Sequence, residues 1–109
     1  MVIDPMEIVE GVVQDLTGNV PAAKISGKFH HSIASLIIKT CEMIRSEEKL
    51  NRVVLSGGVF QNILLLSFVT KGLRKLGFDV YTHHLVPTND GGISLGQAII
   101  GHMRLFQCA

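Results

Sequence analysis

Residues Arg52-Val53-Val54-Leu55-Ser56-Gly57-Gly58-Val59-Phe60-Gln61-Asn62 read as a strand, a tight glycine turn and the opening of a helix. The unbroken apolar run Val53-Val54-Leu55 suits a strand covered on both faces. Helical spacing from Val59 to Leu76 turns Leu65, Phe68, Val69 and Leu76 inward. Gly77 ends that helix, and Phe78 to His83 reads as a second strand. Strand, helix and strand form one βαβ unit, which implies parallel pairing with a right-handed crossover. A second glycine turn follows, Pro87-Thr88-Asn89-Asp90-Gly91-Gly92, and opens a last helix from Gly92 to Phe106 with Ile93, Gly96, Ile100 and Met103 on one side. Both turns leave the carboxyl end of a strand, the edge at which open parallel sheets bind ligands. Backbone N–H groups at a helix start favour an anion, so a phosphate is the first expectation there.

Upstream of this unit the pattern is helical. Asp4-Pro5 starts a first helix that runs to about Leu16, with Asp4 as cap, Pro5 in the first turn and Glu7 behind it. Thr17-Gly18-Asn19 stops it. A second helix runs from Pro21 or Ala22 to Arg45, where Phe29, Ile33, Leu36, Ile37, Cys41 and Ile44 recur at helical spacing and Ser26-Gly27 is a candidate break. Residues 46–51 form a polar connection. The order is α-α-β-α-β-α within residues 1–109, read as one domain of the α/β class with a small parallel sheet. Two strands are few for a parallel sheet. The chain is therefore expected to be part of something larger, or to pair its sheet with a second copy.

Composition points the same way. Of 109 residues, 47% are hydrophobic and 17% charged, and the mean hydropathy is +0.37. That is apolar for so small a chain, and it suggests a buried partner face in addition to a core. No apolar run approaches the roughly 20 residues of a membrane span, and no basic segment precedes an apolar one in the manner of a signal peptide. A net charge of +1 with mixed signs excludes the basic stripe of a nucleic-acid binder. Cys41 sits on an apolar helical stripe and Cys108 beside the chain end, neither in a CxxC pair. A reduced, cytoplasmic location is expected.

Several side chains are candidates for chemistry. Gly57 and Gly58 let backbone approach a phosphate or adopt positive φ, although a strand-to-helix turn without ligand has the same composition. The turn is neither G-x-G-x-x-G nor a Walker A loop. Asn62, read as one turn into the helix, is a candidate for a phosphate or ribose contact, or for bonding its own first turn. Asp90 is placed as a helix cap or as a metal ligand. The five histidines include no i, i+4 pair of the helical metal-site type, and His30 has a structural role beside Phe29 as its better reading. Ser56 is not in a G-x-S-x-G elbow.

Taken together, Val54-Leu55-Ser56-Gly57-Gly58-Val59-Phe60-Gln61-Asn62, Leu76-Gly77-Phe78 and Pro87 to Ala98 resemble the C-terminal end of the hydrogenase maturation carbamoyltransferases of the HypF family. Lys28-Phe29-His30 is similar to that family's motif at the start of the preceding helix. The resemblance covers nearly the whole chain but only a small part of a HypF protein. It implies part of an actin/sugar-kinase/Hsp70-type duplicated fold, as in the TsaD and TobZ transferases. It also implies use of ATP or carbamoyl adenylate, and transfer of carbamoyl to the C-terminal cysteine of a HypE-like partner. Gly57, Gly58 and Asn62 would then lie by the nucleotide, and Asp90 would ligate a divalent metal. His30, His31, His83 and His84 do not match the family's paired metal histidines, which belong to the half of the transferase domain that this chain lacks. The implied partners are a HypE-like protein and the remaining part of the transferase, with no nucleic acid and no membrane. The chain alone is expected to be inactive. A non-catalytic module that oligomerises or binds a partner is the alternative.

Overall fold

The computed structural model of the chain describes residues 2–107, so Cys108 lies outside the described residues. Its elements are α1 (Met6–Thr17), α2 (Ala22–Glu48), β1 (Arg52–Leu55), α3 (Ile63–Lys75), β2 (Asp79–Thr82) and α4 (Ile93–Gln107). Short 3-10 turns at Gly58–Gln61 and Asp90–Gly92 precede α3 and α4. β1 and β2 pair in parallel, with Arg52 opposite Asp79 and Leu55 opposite Thr82.

The core is small. Ala34 of α2, Leu55 of β1, Leu65, Val69 and Leu73 of α3, and Phe78 before β2 are buried together. Val53 and Val80 lie opposite each other in the register and pack against this cluster. They share a sheet face with Leu55, as the period of two requires. The other face is bare: Val54 is 68% exposed and Tyr81 54%. The apolar run in β1 led to the expectation of cover on both faces, and this chain covers one. At the amino end of the sheet a polar clasp joins α2 to the α3–β2 turn. Arg45 donates to the Leu76 carbonyl at 2.9 Å and lies 3.9 Å above the centre of the Phe78 ring. Asn51 donates its amide to the Gly77 carbonyl at 2.9 Å.

Several boundaries differ from the sequence reading: β2 is Asp79–Thr82 rather than Phe78 to His83, and α3 and α4 end at Lys75 and Gln107. Ser26-Gly27 does not divide α2, because a continuous helix is what carries Ile25 and Ala34 into packing on either side. α2 continues past Arg45 to Glu48 and ends on Lys49 in a left-handed conformation, φ 59°. α3 begins at Ile63 rather than Val59, since residues 58–61 form a tighter 3-10 turn and Asn62 is the helix cap. At α1 the Asp4 carboxylate accepts from the Met6 N–H at 2.9 Å, while Pro5 takes the capping position.

α1 and α4 lie outside the core, and neither contains a buried residue. α1 is held on α2 by Ile8 and Val12, which are half-buried, and by the Lys28–Asp15 ion pair at 2.7 Å. Among the described residues α4 packs chiefly on its own preceding turn. Ile99, Ile100, Met103, Leu105 and Phe106 are all more than half exposed. The radius of gyration, 17.7 Å, exceeds the ~13 Å of a compact chain of this length. No described helix is long and apolar enough to cross a membrane. Burial pushes the half-buried Cys41 thiol above its ordinary pKa, which keeps it protonated as a packing group.

These positions predict a contrast. Leu73→Ala, at a fully buried site, should cost about 2–5 kcal/mol in urea unfolding. Leu105→Ala, at a site 75% exposed, should change stability by less than about 0.5 kcal/mol. Comparable losses for the two would mean that α4 is packed in the isolated chain.

Candidate functional site

The two glycine turns meet at the carboxyl end of the sheet. The Gly57 N–H donates to the Thr88 carbonyl at 2.8 Å, and the Thr88 hydroxyl donates back to the Gly57 carbonyl at 3.0 Å. This reciprocal pair bridges segments about thirty residues apart and ties the turn after β1 to the turn before α4. Gly57 has φ 103° and ψ 156°, a region essentially restricted to glycine. It uses its own N–H and carbonyl inside the protein, so its contribution is the shape of the turn. The N–H groups of Gly58 and Val59 have no acceptor among the described residues. A Cβ built on Gly58 would meet no atom within 4 Å, so the space in front of that peptide is open.

The second turn is tighter. Asn89, rather than Asp90, is its cap: the Asn89 side-chain oxygen accepts from the Gly91 N–H at 3.0 Å. A Cβ on Gly92 would stand 2.8 Å from the Pro87 carbonyl, so glycine is required there for the chain to close. With the cap supplied by Asn89, the exposed Asp90 carboxylate is left facing solvent. Among the described residues no three His, Cys, Asp or Glu side chains gather as a metal site. Asp90 is thus not part of such a group among the described residues.

Asn62 sits at the far side of the first turn. Its side-chain oxygen accepts from the Leu65 N–H at 3.1 Å, the geometry of an N-cap. Its amide nitrogen donates to His30 Nε2 on α2 at 2.8 Å. The sequence reading placed Asn62 a turn inside the helix, and the 3-10 turn ahead of it is the reason it stands at the start instead. Asn62 therefore joins the first turn to α2.

Two further contacts escaped the sequence. His83 Nε2 lies 2.9 Å from the Ser56 hydroxyl, directly before the glycines. No third side chain hydrogen-bonds His83 among the described residues, so the pair lacks the orienting group of a catalytic triad. Thr88 is the other, and its β-hydroxyl has no motif that would announce it. His31 packs edge-on to Phe68, with ring centres 5.8 Å apart, and His84 Nε2 lies 3.2 Å from the Thr82 hydroxyl. The four paired histidines are thus spread over separate contacts.

A small parallel sheet covered on one face, with two adjoining turns at its carboxyl edge, free N–H donors in one and a carboxylate in the other, is a partial unit of the α/β class. Residues 1–97 match the family described as "Carbamoyltransferase, Kae1-like Domain, second subdomain". The chain belongs to that family. It is 39% identical over 75 residues to the carbamoyltransferase HypF of Synechocystis sp., a match covering 69% of this chain and 9% of that protein. It is 26% identical over 98 residues to the probable carbamoyltransferase HypF of Methanocaldococcus jannaschii, covering 90% of this chain and 13% of that protein. The crystal structure of full-length HypF in its phosphate- and nucleotide-bound form superposes with a TM-score of 0.89 at 42% identity, over 94% of this chain and 14% of that one. The chain thus spans about a tenth of the length of the curated relatives it matches.

The glycine turn yields its own test. Gly57→Ala should lose about 1–3 kcal/mol of stability, the cost of a side chain at such a backbone conformation. Gly58→Ala should unfold within about 0.5 kcal/mol of the parent, because nothing opposes the added methyl. Urea denaturation of the two variants checks this, and equal effects would contradict the assigned division of labour.

Proposed function

We propose that this chain forms one wall of the nucleotide- and phosphate-binding cleft of a HypF-type carbamoyltransferase. The observation that carries the reading is the Gly57–Thr88 pair of hydrogen bonds, which brings both glycine turns to one edge with the Gly58 and Val59 N–H groups unused. The likeness to a HypF solved with phosphate and nucleotide bound supports it.

In this role Gly57 shapes the turn and leaves room for close approach. Gly58 and Val59 donate N–H groups to a phosphate of ATP or carbamoyl adenylate, with the start of α3 behind them adding its positive dipole end. Asn62 stands beside the nucleotide and holds α3 in place. Asp90 would supply one carboxylate toward a divalent metal, its remaining ligands coming from the rest of the transferase, and that metal would help neutralise phosphate charge. The reaction served is transfer of carbamoyl to the cysteine of a HypE-like partner. The thiolate attacks the carbamoyl carbon, the bond from that carbon to the adenylate oxygen breaks, and AMP leaves as a thiocarbamate forms. Hydrogen bonds and positive dipole at the phosphate favour that departure, since negative charge develops there.

The rest of the transferase would cover the bare sheet face and α4. An exposed row that includes Ile99, Ile100, Met103 and Phe106 is the surface expected of one half of a divided core. The free Cys41 thiol fits a reducing cytoplasm. A second reading, a non-catalytic module that covers the same surface with another copy of itself, draws on the same exposed helix.

Calorimetry separates the two. The chain mixed with the remainder of a HypF-type transferase should bind ADP in the presence of a divalent cation. Asp90→Ala should weaken that binding roughly tenfold or more, about 1.4 kcal/mol. Failure of the mixture to bind ADP, together with a stable dimer of the chain alone, would favour the oligomerising module.

A further inference from the structure

We propose that His30 is a positioning residue, whose neutral ring holds the Asn62 amide in one orientation and through it fixes the free N–H donors of the Gly58–Gln61 turn. The hydrogen bonds determine the ring's proton. The Asn62 oxygen faces the Leu65 N–H, so the Asn62 amide nitrogen must be the atom 2.8 Å from His30 Nε2. An amide nitrogen only donates, and Nε2 therefore carries a lone pair. At the other side of the ring, Nδ1 lies 2.8 Å from the Ser26 carbonyl oxygen, which only accepts. The proton sits on Nδ1. The opposite tautomer would set N–H against N–H2 at one end and lone pair against lone pair at the other.

The chain of bonds thus runs in one direction, from the Leu65 N–H to Asn62, from Asn62 to His30, and from His30 to the backbone of α2. Its other consequence lies in the turn. The Asn62 backbone N–H donates to the Val59 carbonyl at 3.1 Å, and Val59 supplies one of the two unused donors. Asn62 is held by α2 through His30 on one side and grips the Val59 residue on the other. The Gly58–Gln61 turn is therefore anchored at both ends, by Thr88 through Gly57 and by His30 through Asn62. Two residues before His30, Lys28 pairs with Asp15 at 2.7 Å. The functional half of the inference rests on the cleft reading above, while the ring's proton and the cap do not.

The test combines imidazole nitrogen NMR, amide exchange and ADP calorimetry. In the parent chain, long-range proton–nitrogen correlations should show His30 protonated on Nδ1. Asn62→Asp keeps the helix cap but puts an acceptor opposite Nε2, and should move a proton onto that nitrogen. His30→Gln retains an acceptor near the Nε2 position, whereas His30→Asn retains only a partner for Ser26. His30→Asn should speed exchange of the Leu65 amide about fivefold, the worth of one hydrogen bond, and His30→Gln should leave it within about twofold. In the chain assembled with the remaining transferase, ADP affinity should fall in the same order. A ring protonated on Nε2 in the parent, or unmoved by Asn62→Asp, would overturn the proposal. So would ADP bound equally by the parent and His30→Asn assemblies. If the parent assembly binds no ADP, the cleft reading fails, and the ring proton and Leu65 exchange still decide whether His30 positions Asn62.

Discussion

The reciprocal hydrogen bonds between Gly57 and Thr88 hold the two glycine turns together at the carboxyl edge of the sheet. A two-stranded parallel sheet has no third strand to align its exits, so loops leaving β1 and β2 have no inherent reason to meet. Two backbone-directed bonds, at 2.8 and 3.0 Å, supply that alignment. They also commit the Gly57 peptide. In the proposed cleft a ligand would take the next peptide along, where a missing side chain leaves open space and an N–H without an acceptor among the described residues. One glycine serves conformation, and in the proposed cleft its neighbour would serve access.

The same molecule is incomplete as a packed object, and the incompleteness is ordered. Buried side chains cluster where α2, α3 and one sheet face converge. The opposite sheet face and the whole of α4 carry apolar residues into solvent. A chain spanning about a tenth of its relatives and matching a second subdomain accounts for this distribution without strain or misfolding. Hydrophobic surface that is excess for the chain alone is what the proposed cover by the rest of a transferase would bury. The high mean hydropathy has its structural cause there.

Much of this was legible in the sequence. β1 was placed residue for residue, because a β-branched run bounded by Asn51 and Ser56-Gly57 leaves few alternatives. The family followed from two long motif strings. Sequence reasoning failed where local patterns are degenerate. Val59 to Leu76 has helical spacing throughout, and nothing in it marks the change from 3-10 turn to α-helix at Asn62. Ser26-Gly27 looked like a break, but tertiary packing of the flanking turns keeps α2 continuous. Asn89 and Asp90 are both good caps, and only the Gly91 N–H direction chooses between them. Contacts such as Gly57 with Thr88, His30 with Asn62 and Ser56 with His83 join distant segments, and no spacing rule within a single element announces them.

In the proposed cleft the Gly58–Val59 peptide region receives a phosphate. The most direct measurement is a structure of the chain assembled with the remainder of a HypF-type transferase and a bound nucleotide. The account predicts a phosphate oxygen about 2.7–3.2 Å from the Gly58 or Val59 nitrogen, with the Gly57–Thr88 bonds intact behind it. A nucleotide bound elsewhere, with water alone in front of Gly58, would contradict it.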